Sequence, residues 1–278
     1  MTVPTLDGRV ALVTGASYGI GRAVATCLAA HGADVVVNYS RDAHRAAETV
    51  ASIEAAGARG LAIKADVSRA REVEAMVART IDTFGHLDIL VNNAGILEIA
   101  PVVQLSEAAW DRVLAVNLKG HFLCTRAAGR EITKAGTAGR IINTGSVLGE
   151  WPLAGRSAYG ASKAAITMLT KVWALEFAPF GVTVNAVEPG TIESDMTLPM
   201  LRTDAERSTA ADPIPLRRIG EGRDIGEVVS FLASAAASYV TGVSILVDGG
   251  LSISSSARGS TGFPLDWAAL PPAEEAGR

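Results

Sequence analysis

The stretch Val10-Ala11-Leu12-Val13-Thr14-Gly15-Ala16-Ser17-Tyr18-Gly19-Ile20-Gly21-Arg22 decides the fold. Four apolar residues run without a polar break into a turn with three glycines, and a helical pattern follows from Arg22 to Ala30. A continuous apolar run suits a strand buried on both faces. Glycines let the backbone turn sharply and approach a ligand closely, and the helix start behind them presents unpaired N–H groups to a pyrophosphate. The turn is therefore a candidate phosphate cradle, with Gly15, Ser17, Tyr18, Gly19, Ile20 and Gly21 as its contacts. Its spacing, Gly-x3-Gly-x-Gly, differs from the more familiar Gly-x-Gly-x2-Gly, and a tight turn without a ligand is the competing reading.

Outward from that turn, short β-branched runs alternate with longer helical patterns about every 25 to 30 residues, the signature of repeated strand–helix–strand units. Strands are predicted over Val10 to Val13, Asp34 to Asn38, Gly60 to Lys64, Ile89 to Val91, Arg140 to Thr144, Thr183 to Val187 and Ser244 to Val247. Helices are predicted over Ala43 to Ala56 and over Arg69 to Phe84, the latter capped by Ser68 and closed at Gly85. The fold class is α/β, a parallel sheet of about seven strands with helices on both faces. From Thr191 to Gly222 the rhythm fails, and Pro199, Pro213 and Pro215 lie in polar sequence, so 191–222 reads as an irregular substrate-loop insertion. Residues 1–251 read as one catalytic domain and 252–278 as a tail. Within the tail, Phe263-Pro264-Leu265-Asp266-Trp267 is apolar enough to dock on its own or a neighbouring subunit.

Composition narrows the partners. The 278 residues are 49% hydrophobic and 19% charged with a net charge of −4, so no basic face is available for nucleic acid or an anionic bilayer. Cys27 and Cys124 lie far apart in apolar helical contexts, which suits a reducing cytoplasm. The start, Met1 to Asp7, lacks the basic residues of a secretory leader. From Val228 to Val247 there is no charge, a length that could span a membrane, but serines, Tyr239 and Thr241-Gly242 divide it into helix end, turn and strand.

The end of the second strand is where dinucleotide folds read the adenosine ribose. A carboxylate there repels a 2′-phosphate and a cation attracts one. Asn38-Tyr39-Ser40-Arg41 has no acid and one Arg, which favours NADP(H), with NAD(H) as the alternative; Asp42 beside Arg41 could blunt its field. Further on, Tyr159 and Lys163 are four apart, so a helix puts them on one face one turn apart. A phenol with a pKa near 10 is a poor acid–base at neutral pH unless a fixed ammonium stabilises its anion. An exposed Lys and a packed Tyr are the alternative. His31, His44, His86 and His121 have no metal-ligand spacing, so no metal is expected.

Taken together these residues resemble the short-chain dehydrogenase/reductase family, from about Leu6 to Gly250. Thr14 to Gly21 resembles its cofactor turn, Asp66-Val67 its adenine contact and Asn92-Asn93-Ala94-Gly95 its motif after the fourth strand. Asn117, Ser146, Tyr159 and Lys163 match its catalytic tetrad in order and spacing, and Pro189-Gly190-Thr191-Ile192 the segment that holds the nicotinamide carboxamide. The resemblance implies a Rossmann-type doubly wound sheet. It implies that Ser146 donates a hydrogen bond to the substrate oxygen, that Tyr159 exchanges the proton, and that Lys163 binds the nicotinamide ribose and lowers the Tyr159 pKa. Asn117 would interrupt its helix and bind a water linking Lys163 to solvent. Trp151, soon after Ser146, is a candidate substrate wall, whereas Trp110 and Trp173 read as packing and Asp248-Gly249-Gly250 as a turn.

Within the family, Pro215 to Gly220 and Ser238 to Gly242 resemble the 3-oxoacyl-acyl-carrier-protein reductase branch, and sugar or polyol dehydrogenases share both phrases. The expected activity is interconversion of a small ketone and a secondary alcohol, with an aldose dehydrogenase as the near alternative. A non-catalytic NADP-binding sensor or scaffold is the rival from another class. An acidic carrier protein needs cations beside the site, and Glu176 to Gly181 offers none, although Arg126, Arg130 and Lys134 are near in sequence. An epimerase of the extended branch needs a larger C-terminal domain than this chain holds. The family's usual homotetramer, or a homodimer, agrees with the small and aliphatic groups around the Tyr159 helix (Ala161, Ala164, Ala165, Ile166, Leu169, Val172).

Overall fold

The computed structural model of the protein describes residues 5–136 and 138–254. Its first half runs β1 (Val10–Val13), α1 (Gly19–Ala30), β2 (Asp34–Tyr39), α2 (Ala43–Ala55), β3 (Gly60–Lys64), α3 (Ala70–Phe84) and β4 (Ile89–Asn92). The second half runs α4 (Glu107–Leu114), a π-helical turn (Ala115–Lys119), α5 (Gly120–Ala135), β5 (Arg140–Thr144), α6 (Ser157–Phe177), β6 (Thr183–Pro189), α7 (Asp204–Ala211), α8 (Gly222–Ala233) and β7 (Ser244–Val247). All seven strands lie in one parallel sheet, ordered β3-β2-β1-β4-β5-β6-β7. This is the Rossmann-type doubly wound arrangement. The order reverses between β1 and β4, so the crevice beyond their carboxyl ends is the place for a ligand.

Alternation along the strands builds two cores. Ala11, Val13, Val35, Val37, Ile89 and Val91 face α1, α2 and α8, where Leu28, Ile53 and Ile225 meet them. Val10, Leu12, Val36 and Leu90 face α3, α5 and α6, against Met76, Ile132 and Trp173. Each such aliphatic side chain contributes about 1.5–3 kcal/mol by leaving water. With both faces covered, the strands are mostly apolar, and the buried polar residues they do carry, such as Asn92 and Asn143, bond to one another and to neighbouring helices.

Several boundaries differ from the sequence expectation. β2 and β4 each run one residue further, and β6 two residues further, to Pro189. Ser68 does not cap α3: its hydroxyl donates to Asp66 Oδ1 at 2.7 Å, and Arg69 occupies the cap position without a side-chain bond. Gly85 does close that helix, with φ +85°. The 191–222 segment is not wholly irregular, because Thr203 and Glu206 form a reciprocal capping box that starts α7. The uncharged stretch 228–247 divides into the end of α8, a 3₁₀ turn at Ala235–Ala237, Gly242 at φ +76° and β7. Among the described residues no helix is long and apolar enough to cross a membrane. Gly249 and Gly250, both at positive φ, form the turn after β7, fixed by Asp248 carboxylate bonds to the Gly250 and Ser252 amides. Phe263 to Trp267 lies outside the described residues.

Candidate active site

The glycine turn sits at the switch point, directly after β1. Gly15 and Gly19 have φ of +62° and +59°. A Cβ on Gly21 would stand 2.2 Å from the Gly15 carbonyl oxygen and 2.5 Å from Asn93 Nδ2, so backbone fills that space. α1 begins at Gly19 with no acid in its first turn and no side-chain cap on its N-terminus. This geometry and charge fit a pyrophosphate. Tyr18 is exposed at the turn, while Ser17 is buried and its carbonyl accepts from Thr49 Oγ1.

Behind the turn, three side chains hold its shape. Thr14 Oγ1 accepts from the Asn93 and Ala94 amides, and Asn93 Nδ2 donates to the Thr14 and Gly15 carbonyls at 2.9 and 3.1 Å. Asn38 is buried; its Oδ1 accepts from the Gly15 amide and its Nδ2 donates to the Ala65 carbonyl. Asn38 therefore supports the turn from inside and its side chain is not turned toward the cleft. Tyr39 is half-buried, and Ser40 and Arg41 are exposed at the end of β2. Asp42 caps α2 through the Arg45 amide and pairs with the Arg45 guanidinium, so its charge faces Arg45. Arg45 also pairs with Asp195 and lies 5.4 Å from the centre of the Tyr18 ring. Tyr18, Gly19, Arg22, Asp42, Arg45 and Asp195 thus surround an open polar hollow of about 470 Å³ at this end of the crevice.

Asp66 is half-buried and accepts from the Ser68 amide and hydroxyl, while Val67 is buried against Gly120. Gly95 lies beside Asn117, its ideal Cβ 3.6 Å from Asn117 Oδ1. On the other side of the crevice, Pro189 ends β6 and Gly190 passes so close to Asp248 that a Cβ would be 2.6 Å from the Asp248 Cβ. Thr191 accepts from the Gly220 amide, and the Ile192 side chain packs into the core.

The four tetrad residues come from three places in the fold: Asn117 from the π-helical turn, Ser146 from just past β5, and Tyr159 and Lys163 from α6. Asn117 is fully buried on the π-helical turn; Oδ1 accepts from the Ile96 amide at 2.8 Å, and Nδ2 donates to the Ile96 carbonyl at 2.9 Å and to Ser162 Oγ at 3.3 Å. Ser162 Oγ in turn donates to the Tyr159 carbonyl at 2.6 Å. Ser146 accepts from the Leu148 amide and acts on the Tyr159 phenol, whose pKa it draws down. Lys163, buried on α6, donates to the Thr144 carbonyl at 2.6 Å, and its Nζ lies 5.6 Å from the centre of the Tyr159 ring.

Electrostatics depart from the expectation at one point. Burial pushes the Tyr159 phenol above its ordinary value, and the Ser146 hydrogen bond and the Arg156 charge pull it back only partly. The Lys163 ammonium is aimed at Thr144, and burial lowers its own pKa to about 8. His121, one helical turn after Asn117, is buried and pulled down to about 3 by desolvation, then by the Lys163 charge. His31, His44 and His86 each meet a carboxylate: Glu227, Glu48 and Asp88. Trp151 is half-buried on the loop that follows Ser146, and Trp173 belongs to the core.

Ser162, which links Asn117 to the Tyr159 carbonyl, and Arg156, whose charge acts on the Tyr159 phenol, are what sequence reading missed. Ser162 sits three residues after Tyr159 and Arg156 three before, which on a helix start is close enough to have raised the question.

Comparison with known proteins agrees with this geometry. Residues 15–252 match the family described as Enoyl-(Acyl carrier protein) reductase, adh_short_C2. The 3-oxoacyl-[acyl-carrier-protein] reductase FabG of Staphylococcus epidermidis is 43% identical over 241 residues, covering 87% of this chain and 98% of the relative. The crystal structure of a dehydrogenase/reductase from Sinorhizobium meliloti superposes with a TM-score of 0.84 at 42% identity, covering 89% of this chain and 96% of that one. An Agrobacterium tumefaciens protein, provisionally named a 2-deoxy-D-gluconate 3-dehydrogenase and solved with bound NADP, gives a TM-score of 0.81 at 37% identity, covering 90% and 99%. By fold, site and kinship, this chain belongs to the short-chain dehydrogenase/reductase family, oxidoreductases that act on CH–OH groups with a nicotinamide dinucleotide.

Proposed function

We propose that this protein interconverts a ketone and a secondary alcohol with NADP(H), Tyr159 exchanging the proton. The observation that carries the reading is the gathering of Ser146, Tyr159 and Lys163 at one place, Ser146 pulling the pKa of the Tyr159 phenol down and the Lys163 ammonium lying 5.6 Å from the centre of its ring. Two hydroxyl donors side by side suit one substrate oxygen, which a carbonyl offers and a carbon–carbon double bond does not. Carbonyl chemistry is accordingly favoured over the enoyl chemistry in the description of the matching family. The nicotinamide supplies or accepts the hydride when bound. Ser146 donates to the carbonyl oxygen and offsets the charge developing there, while Tyr159 delivers its proton to the same oxygen. Lys163, held by Thr144, orients the nicotinamide ribose and supplies positive charge below the phenol. The Asn117 amide is engaged by Ile96 and Ser162, which ties the π-helical turn to α6 beside Tyr159.

Preference for NADP(H) over NAD(H) is supported by Arg41, exposed at the end of β2 and without an ion pair among the described residues, and by the absence of an acid in Asn38 to Ser40. The relatives named as 3-oxoacyl reductases favour a 3-oxoacyl-like carbonyl. A carrier-bound form is less favoured, since Arg126 pairs with Glu74 and Lys134 with Glu131. Self-association, as a homotetramer or homodimer, is supported by Phe122, Met168, Val172, Leu175 and Phe180, exposed on and beside α5 and α6.

The test is cofactor-linked turnover against a mixed carbonyl and polyol panel, with both cofactors. NADPH oxidation with ketones is expected, with kcat/KM for NADPH about tenfold or more above that for NADH. Saturable NADPH binding without turnover of any panel member would replace this reading with a sensor or scaffold.

A further inference from the structure

Two distant parts of the chain meet above the carboxyl ends of the strands. Arg45 lies in the first turn of α2, which follows β2, and Asp195 lies in the segment that follows β6. Their side chains pair, Arg45 Nη1 donating to Asp195 Oδ1 at 2.5 Å. In the sheet, β1, β4 and β5 separate β2 from β6, a span of about 19 Å at the usual strand spacing. The segment after β6 therefore reaches back over the switch point to make this pair.

On its way the segment runs against the glycine turn. The ideal Cβ position of Gly19 is 3.5 Å from Ser194 Cβ, and Tyr18, Gly19, Arg45 and Asp195 border one hollow. The segment is cross-linked to itself, because Thr197 Oγ1 donates to the Ile192 carbonyl at 2.6 Å and accepts from the Ser194 amide at 2.9 Å. Its stem is fixed by the Glu193 amide, which donates to the Gly220 carbonyl, and by the Gly220 amide, which donates to the Thr191 carbonyl. On the other side, Arg45 is steadied by the Asp42 carboxylate and by the face of the Tyr18 ring, 5.4 Å away. The remaining charges around the hollow pair elsewhere, Arg22 and His44 with Glu48.

A dinucleotide on the glycine turn, with its adenosine at the end of β2, lies in the crevice that this crossing spans. We propose that Arg45 and Asp195 are positioning residues that strap the segment 191–197 down over the bound dinucleotide, and that parting of the pair sets how fast the dinucleotide leaves. This rests on the reading of the crevice as a nicotinamide dinucleotide site. The strap acts through the backbone that crosses the cofactor and not on a 2′-phosphate, so it retains NADPH and NADH equally. The two side chains are 45% and 35% exposed, so water screens the pair and its hold amounts to a factor of a few.

The experiment follows release of bound NADPH and of bound NADH by stopped-flow fluorescence, with the oxidised cofactor as chase, in wild type, Asp195→Asn, Arg45→Gln and the double variant. Each single variant is expected to speed release of both cofactors by about 3- to 5-fold. The double variant is no faster than either single one, because each has already removed the same pair, and Asp195→Glu stays within about twofold of wild type. Release that is unchanged in Asp195→Asn, or effects that multiply in the double variant, overturns the strap and leaves the dinucleotide site standing. Arg45→Gln that speeds NADPH alone assigns the guanidinium to the 2′-phosphate and also overturns it. Hydrogen exchange of the free protein is the second readout: amides of residues 193–201 exchange faster in Asp195→Asn while those of α1 and β6 do not, and unaltered exchange there overturns the strap. A wild type that binds neither cofactor overturns the dinucleotide reading itself, and the strap with it.

Discussion

The Lys163 ammonium donates to the Thr144 main-chain carbonyl at 2.6 Å, tying the middle of the crevice floor to the end of β5. A buried cation held by a neutral carbonyl is an uncompensated charge, and its pKa falls from 10.5 to about 8 for that reason. Between those values the unfolded chain binds a proton that the folded chain has released, so stability rises with pH across that window; below about 8 both forms are protonated and the cost is constant. At pH 9.5 the wild type should therefore gain about 2 kcal/mol relative to its value at pH 7 from this group. Lys163→Met has no such group, so urea melts of both proteins at the two pH values should show the difference between them shifting toward the wild type at pH 9.5. A difference that does not move with pH would refute the assignment.

The phenol of Tyr159 rests protonated, because burial outweighs Ser146 and Arg156. Ketone reduction needs the phenol and alcohol oxidation the phenolate. Oxidation should accordingly rise with pH, about tenfold per unit below the effective pKa, while reduction stays level and then declines. Tyr159→Phe should lower both rates by about 10² to 10⁴ and leave the NADPH dissociation constant, read by fluorescence titration, within about twofold.

Arg41 is exposed and Asp42 is turned to Arg45, so nothing on β2 opposes a 2′-phosphate. Arg41→Ala should weaken NADPH binding by about tenfold and leave NADH binding unaltered. Equal losses for both cofactors would show that Arg41 acts on the loop and not on the phosphate.

Asn117 satisfies both main-chain groups of Ile96 and is fully buried. Asn117→Ala leaves that amide and carbonyl without partners and should cost about 2–4 kcal/mol in urea unfolding. Asn117→Asp keeps the acceptor for the Ile96 amide but not the donor for its carbonyl, so its loss should concentrate in activity and in local hydrogen exchange around residues 94–97.

The sheet was legible because strands covered on both faces are mostly apolar, and Val10 to Val13 or Ile89 to Val91 are recognisable without their neighbours. Asn117, Ser146, Tyr159 and Lys163 were legible as a spacing pattern, since helical periodicity and chain order fix which of them can meet. What sequence could not carry was the direction of side chains: Asn38 points inward to Gly15, Asp42 toward Arg45, and Lys163 toward Thr144. Ser68 failed as a cap because Asp66, two residues earlier, competes for its hydroxyl, a local bond that periodicity does not register.

Thr14, Asn38 and Asn93 hold the glycine turn through protein-to-protein bonds alone. The turn consequently has its binding shape before any dinucleotide arrives, so association orders little further backbone and should be limited mainly by diffusion and charge. Differences in affinity among cofactors should then reside mainly in how fast they leave, so dissociation rates are the quantity in which the proposed preference for NADPH over NADH is to be read.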